Sequence, residues 1–245
     1  MDSSVSLLIF AFNEEKNIRQ VIANCVSALT AVDSRVKIIV ADDGSYDSTP
    51  EIVTELSEEI PYLSLSRVNE NAGLGSSLAR CIPEIDTDFF MTVPGDNDFS
   101  LDSICDLLSS REGFDAVIGY YEDMSGRSTS RKFLSRLFSA IVATVSGQKL
   151  IYPNGPGVYR CALLTDFVPK SAGFASIAEL NLFVSKRASR LKQIQLQYLR
   201  TESADSKSLS LETAVEVAQL LVRIVATRAL SILRGCGQRS HNSGS

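Results

Sequence analysis

Ile38-Ile39-Val40-Ala41-Asp42-Asp43-Gly44-Ser45 is an apolar run that stops abruptly at two carboxylates and a turn. Apolar residues in succession, without polar alternation, read as a strand buried on both faces, the mark of a parallel sheet. The pattern recurs on either side. Val5–Phe10 leads into Ala11-Phe12-Asn13-Glu14, and Phe89–Val93 leads into Pro94-Gly95-Asp96-Asn97-Asp98. Helical stretches separate these strands: about Glu15 to Leu29, then one opening at Ser48-Thr49-Pro50-Glu51 with Ser48 as cap, then Leu74–Ile82 and Asp102–Ser110. Tyr62–Val68 supplies a third strand and Phe114–Gly119 a fifth. Strands alternating with helices of this length predict right-handed βαβ units, an α/β fold with a mainly parallel, Rossmann-like sheet flanked by helices.

The second half is patterned differently. Arg131–Val145 has an amphipathic period, Tyr152-Pro153-Asn154-Gly155-Pro156-Gly157 reads as a loop, Ile177–Arg187 as a helix and Gln193–Leu199 as a strand. Leu211–Leu233 reads as a long C-terminal amphipathic helix with a wide apolar face. No linker is evident. Residues 1–235 therefore read as a single domain with halves 1–126 and 127–235, and 236–245 as a disordered tail.

Composition narrows the function classes. The 245 residues are 44% hydrophobic and 22% charged, ordinary for a globular chain. Five scattered cysteines without a CxxC pair, and one histidine, His241, argue against a Cys/His metal site or a histidine-dependent triad. The spacing suits reduced thiols in a cytosolic setting. Met1-Asp2-Ser3-Ser4 lacks the basic start of a secretory signal, and no apolar window is long enough for a spanning helix. The net charge of −5 hides an asymmetry. Residues 1–126 hold 23 Asp and Glu against 7 Lys and Arg, whereas residues 127–245 hold 6 against 17. The acidic half fits a cation site and the basic half an anionic ligand or surface, or the two are simply solvated faces of opposite sign.

Ligands of parallel α/β sheets sit at the carboxyl ends of the strands. Three strand ends here carry carboxylates: Glu14, the Asp42-Asp43 pair, and Asp96 with Asp98. Like charges gathered in a cleft raise one another's free energy unless a cation or donors offset it. The natural counter-ion is a hard divalent cation, Mg²⁺ or Mn²⁺, held by Asp96 and Asp98 together with substrate phosphates. Simpler readings remain: Asp42-Asp43-Gly44-Ser45 as a plain turn with a helix cap, and Asp96-Asn97-Asp98 as an Asx turn. No GxxxxGK[ST] occurs and no GxGxxG follows the first strand, so ATPase and dehydrogenase chemistry are disfavoured.

Taken together, Val5 to Glu15, Ile39 to Thr49, Asn71-Ala72-Gly73-Leu74-Gly75 and Asp96-Asn97-Asp98 resemble, in order and spacing, the motifs of glycosyltransferase family 2. Arg131 with Ser135, and Ser206-Lys207, resemble the polyprenyl- and dolichyl-phosphate sugar synthase branch. The proline usual before the first motif's aromatic is replaced by Phe10-Ala11. The resemblance implies a GT-A fold and a metal-dependent, inverting, non-processive transfer of sugar from a nucleotide-diphosphate donor. Residues 1–126 would be the nucleotide-sugar-binding half and 127–235 the acceptor half. The acceptor it implies is a polyprenyl phosphate or a lipid-linked glycan, as in cell-envelope polysaccharide assembly. Phe12, Glu14, Asp42, Asp43 and Gly73 would contact the donor. Asp96 and Asp98 would hold the metal and diphosphate, and Arg131 and Lys207 would neutralise phosphate charge.

A lipid-phosphate acceptor is already ionised and needs no strong base, whereas a sugar hydroxyl requires a carboxylate within reach. Glu179 is the candidate base, with Asp123 behind it, although Glu179 could equally be an ordinary helix residue. Residues 209–234 fit a helix lying on an anionic leaflet, which would make the protein peripheral at the cytoplasmic face of a membrane. They fit equally a packing face within the chain or in a homodimer. The alternative to transfer is a sugar-nucleotide-binding module or a nucleotidyltransferase-like protein. Nucleic acid is not an expected partner, because the chain is acidic overall and lacks interleaved basic and aromatic residues.

Overall fold

The computed structural model describes residues 3–30, 35–121, 139–144, 146–147, 150–173, 175–197, 219–220, 222–223 and 225. The chain runs β1 (Val5–Ala11), α1 (Ile18–Leu29), β2 (Val36–Asp42), α2 (Thr49–Glu59), β3 (Leu63–Arg67), α3 (Leu74–Cys81), β4 (Phe89–Pro94), α4 (Leu101–Ser110), β5 (Ala116–Tyr120), β6 (Gly157–Arg160), α5 (Ala175–Ser185) and β7 (Leu191–Gln195). These strands form one sheet in the order β3-β2-β1-β4-β6-β5-β7.

The first four strands are mutually parallel where they pair, as the continuous apolar runs predict. Each face of this half buries its own core. Val5, Leu7 and Ile9 pack with Ile18, Val21 and Ile22 of α1 and with Ile104, Leu107 and Leu108 of α4. Leu8 on the opposite face packs with Leu78 of α3 and with Ala178 and Leu182 of α5. Successive strand residues point to opposite faces, so a run apolar at every position is what two covered faces require.

The second half adds one strand to the sequence reading and shifts another, and the first half changes one helix cap. The sheet is mainly parallel, as expected, with β6 alone lying antiparallel, between β4 and β5. That strand was not predicted: four residues following a Gly- and Pro-rich loop are too short to show a period, and its neighbours in the sheet select it. The last strand falls at Leu191–Gln195 rather than Gln193–Leu199, parallel to β5. Ser48 precedes α2 but its side chain makes no cap hydrogen bond. The Asp47 carboxylate instead accepts from the Thr49 backbone N–H at 3.0 Å and from its hydroxyl at 2.6 Å. Of the predicted 131–145 helix, residues 139–144 are helical and 131–138 and 145 lie outside the described residues. Most of 211–233 and all of 236–245 also lie outside them.

Asn181 of α5 ties β6 to the 153–155 loop. Wholly buried, it accepts from the equally buried Tyr159 hydroxyl of β6 at 2.7 Å. It also donates to the carbonyls of Pro153 and Gly155 at 2.7 and 2.9 Å. One side chain thereby serves three buried polar groups. Asn181→Ala is expected to lower the unfolding free energy by about 3 kcal/mol, measured by urea denaturation, because each orphaned buried group carries a desolvation cost.

Candidate active site

Ala11 of β1 stands opposite Asp42 of β2, and Phe10 opposite Pro94 of β4. The three following turns therefore leave the sheet on one rim. Two interstrand spacings set the Asp42 and Asp96 turns about 10 Å apart, with the β1 turn between them.

The β1 and β2 turns are laced together. The Asn13 backbone N–H donates to Ser45 Oγ at 2.9 Å and the Tyr46 N–H to Asn13 Oδ1 at 3.0 Å. The Glu14 N–H donates to Thr49 Oγ1 at 2.8 Å, the Glu15 N–H to Asp47 Oδ2 at 3.1 Å, and the Ser48 N–H to Glu15 Oε2 at 3.1 Å. Asn13 holds a left-handed φ of 56°, which Asn tolerates better than most residues. Phe12 meets the exposed Tyr46 ring edge-on, their centroids 5.9 Å apart, at the mouth of this rim.

Each carboxylate has a different environment. Asp42 is fully buried; it accepts from the Ser45 hydroxyl and lies 3.3 Å from the Arg67 guanidinium at the end of β3. Asp43 accepts from the backbone N–H of Ala72 at 3.0 Å and of Gly73 at 2.7 Å. Two backbone donors and a cation thus offset these charges. Glu14 is buried and accepts from Asn17 Nδ2 at 2.9 Å. Asp96 is pushed up to about 6, chiefly because burial strips water from its carboxyl group, with the charges of Asp98 and Glu14 adding to the effect.

The Asx turn weighed from the sequence is present. The Asp98 N–H donates to Asp96 Oδ1 at 3.2 Å, and Asn97 takes a left-handed φ of 60°. The turn does not exclude a cation; it brings both carboxyl groups to one place. Gly95 is needed here, since a Cβ would come within 2.4 Å of the Phe10 carbonyl oxygen and push the Asp96 turn off the end of β1. Oxygen donors in a pair suit Mg²⁺ or Mn²⁺, which bind through one or two carboxylates plus substrate phosphates. Among the described residues no group of three or more His, Cys, Asp or Glu side chains could enclose a metal ion. The donor set therefore fits a cation shared with a ligand and not a closed protein cage.

Gly73 and Gly75 bracket the start of α3 against a second loop. The Gly75 N–H donates to the Ala172 carbonyl at 2.6 Å. A Cβ on Gly75 would stand 1.8 Å from the Ser171 carbonyl oxygen, and one on Gly73 2.4 Å from that of Ala172. Glu179 holds that loop from behind: its Oε2 accepts from the N–H groups of Lys170 and Ser171 at 3.0 and 2.9 Å, and its Oε1 lies 3.9 Å from Arg223. Arg131, Lys207 and Asp123 lie outside the described residues. Two cations at the rim escaped the sequence reading. Arg67 pairs with Asp42, and Arg80 donates to the Ser66 carbonyl at 3.1 Å and Oγ at 3.0 Å. Reading the end of the third strand by the same strand-end rule finds Arg67. Nothing in sequence distinguishes Arg80 from a solvated helix arginine.

A sequence model described as Glycosyl transferase family 2 matches residues 6–168. The chain is 24% identical over 235 residues to an undecaprenyl-phosphate 4-deoxy-4-formamido-L-arabinose transferase of Salmonella choleraesuis (strain SC-B67), covering 94% of this chain and 69% of that protein. Its fold is similar to that of S. aureus TarS in complex with UDP-GlcNAc, with a TM-score of 0.63 and 19% identity over 90% of this chain and 66% of that one. It is also similar to glucosyl-3-phosphoglycerate synthase from Mycobacterium tuberculosis in complex with Mn²⁺, UDP and glucosyl-3-phosphoglycerate, with a TM-score of 0.62 and 19% identity over 89% of this chain and 80% of that one. The chain thus spans slightly under two thirds of the TarS structure. These likenesses establish the GT-A architecture.

Two outcomes follow from this geometry. Between about pH 4 and pH 6, without divalent cations, the folded state binds more protons at Asp96 than the unfolded state, so stability falls as pH rises through that window. Asp96→Asn is expected to flatten this dependence and raise the metal-free melting temperature at pH 7, by scanning calorimetry. Gly75→Ala, which at an ordinary helix position would stabilise by about 1 kcal/mol, is expected to lower the melting temperature because its methyl group meets a backbone carbonyl.

Proposed function

The chain belongs to glycosyl transferase family 2, and from that premise we propose that it moves a sugar from a nucleoside-diphosphate donor onto an acceptor by one in-line displacement with inversion. The carrying observation is the Asp96–Asp98 pair, set on the same rim as Glu14 and Asp42-Asp43 by the register of β1, β2 and β4. The acceptor oxygen attacks the anomeric carbon, the bond from that carbon to the diphosphate oxygen breaks, and the electron pair leaves with the nucleoside diphosphate.

The chain's own groups divide the work. Phe12, Glu14, Asp42, Asp43 and Gly73 stand at the end of the rim proposed for the nucleoside, Asp42 buried behind it. Asp96 and Asp98 would hold Mg²⁺ or Mn²⁺, which when bound would supply positive charge for the departing diphosphate. Arg131 and Lys207 are proposed to neutralise phosphate charge as well. Inversion asks only that the acceptor approach the face opposite the leaving group. No QxxRW-like signature occurs, which supports single rather than repeated transfer.

A polyprenyl phosphate is the acceptor we favour, a lipid-linked glycan being the next in line. The undecaprenyl-phosphate transferase relative supports this choice, and a phosphate oxygen that is already ionised removes the need for a base on the protein. Among the described residues no helix is long and apolar enough to cross a membrane. We propose peripheral contact with the cytoplasmic face through 209–234 as the route to such an acceptor.

Thermal-shift screening against UDP, GDP, CDP and dTDP, each with Mn²⁺ or Mg²⁺, is expected to single out one nucleotide that raises the melting temperature only with metal. Asp98→Asn should abolish that rise and reduce transfer of labelled sugar to undecaprenyl phosphate by at least about a hundredfold. Metal-independent binding, or nucleotide binding with no transfer to any lipid phosphate or glycan, would instead favour a sugar-nucleotide-binding module.

A further inference from the structure

Glu179 was expected as a base, yet its carboxylate is turned onto backbone. Oε2 takes both N–H groups of the Lys170-Ser171 step, and Oε1 faces Arg223. Arg223 completes the fastening: it donates to the Lys170 carbonyl at 3.2 Å and to the Ser171 hydroxyl. The carbonyls of Ser171 and Ala172 are thereby presented to the start of α3. There Gly75 donates to Ala172, and neither Gly73 nor Gly75 leaves room for a side chain.

The other side of the same turn is held by Asp43, through the N–H groups of Ala72 and Gly73. Residues 72–75 are therefore gripped between a carboxylate of the donor rim and a loop fixed by a second carboxylate. Asp43's grip is charge-assisted, the loop's is the Gly75 N–H bond to the Ala172 carbonyl, and both act on backbone, so the position of the turn depends on geometry and not on the side chains it carries.

We infer that Glu179 is a positioning residue for the donor subsite: with Arg223 it locks the 170–172 loop against the 72–75 turn, and so couples residue 223 to the nucleotide pocket. The inference rests on the reading that the β1–β2 rim binds the nucleotide. It assigns Glu179 no proton transfer. It also gives the chain beyond α5 a route to influence donor affinity without touching the donor.

The test uses the full chain, with Glu179→Ala, Glu179→Gln and Arg223→Met. Hydrogen exchange without ligand is followed in peptides covering 70–78 and 168–173. Glu179→Ala is expected to speed exchange in both, across the contact. Glu179→Gln keeps a carbonyl acceptor and should restore part of the protection, and Arg223→Met should loosen 168–173 without unfolding the chain. Calorimetric titration with the nucleoside diphosphate that binds wild type, chosen from UDP, GDP, CDP and dTDP with Mn²⁺, should show Kd raised about tenfold in Glu179→Ala, the size expected for loss of one charged hydrogen-bond pair. Donor KM should rise more than turnover falls. Unchanged exchange in 70–78 overturns the inference, as does unchanged Kd with collapsed turnover at saturating donor, which would restore Glu179 as the base. If wild type binds none of the four nucleotides, the donor-site reading itself fails and this inference falls with it.

Discussion

The register of β2, β1 and β4 governs this molecule. Because Ala11 pairs with Asp42 and Phe10 with Pro94, three turns begin at one height on one rim. A slip of a single residue in any pair would turn its side chains to the opposite face and lose both cores. Hydrophobic burial of Val5, Leu7, Leu8 and Ile9 thus fixes where the carboxylates stand.

Gathering acidic groups on one rim is costly, and the fold treats them unequally. Asp42 and Asp43 are tied into the structure by Arg67, Ser45 and the backbone of Ala72 and Gly73. Asp96 is held under strain, its carboxyl raised by burial and by Asp98 and Glu14. The cation proposed for this site would offset that cost when bound. The lacing of the β1 and β2 turns fixes the adjoining part of the rim.

The second half of the chain serves the first. β6 inserts antiparallel beside β4, and Asn181 joins it to the 153–155 loop. α5 carries both Asn181 and Glu179, separated by little more than half a helical turn. One therefore faces the core, and the other the loop that backs α3. A single helix in this way secures the sheet and shapes the rim.

The sequence by itself determined the four parallel strands, the helices between them and the three acidic turns. Apolar runs such as Leu7-Leu8-Ile9 and Ile38-Ile39-Val40 carry that information locally, and a strand-end carboxylate needs no partner to be noticed. The motifs around Asp42 and Asp96 likewise pointed to the family before any coordinates did. Tertiary structure alone decided the rest. β6 exists because two neighbouring strands offer their backbone groups to Val158 and Tyr159, not because four residues prefer to be extended. Asp47, not Ser48, caps α2, a choice settled by the geometry of the turn. Arg67 faces Asp42, and Glu179 takes the amides of Lys170 and Ser171, through pairings distant or indirect along the chain. Such a carboxylate reads the same in sequence whether it takes a proton or holds a loop; only the donors placed around it in space distinguish the two.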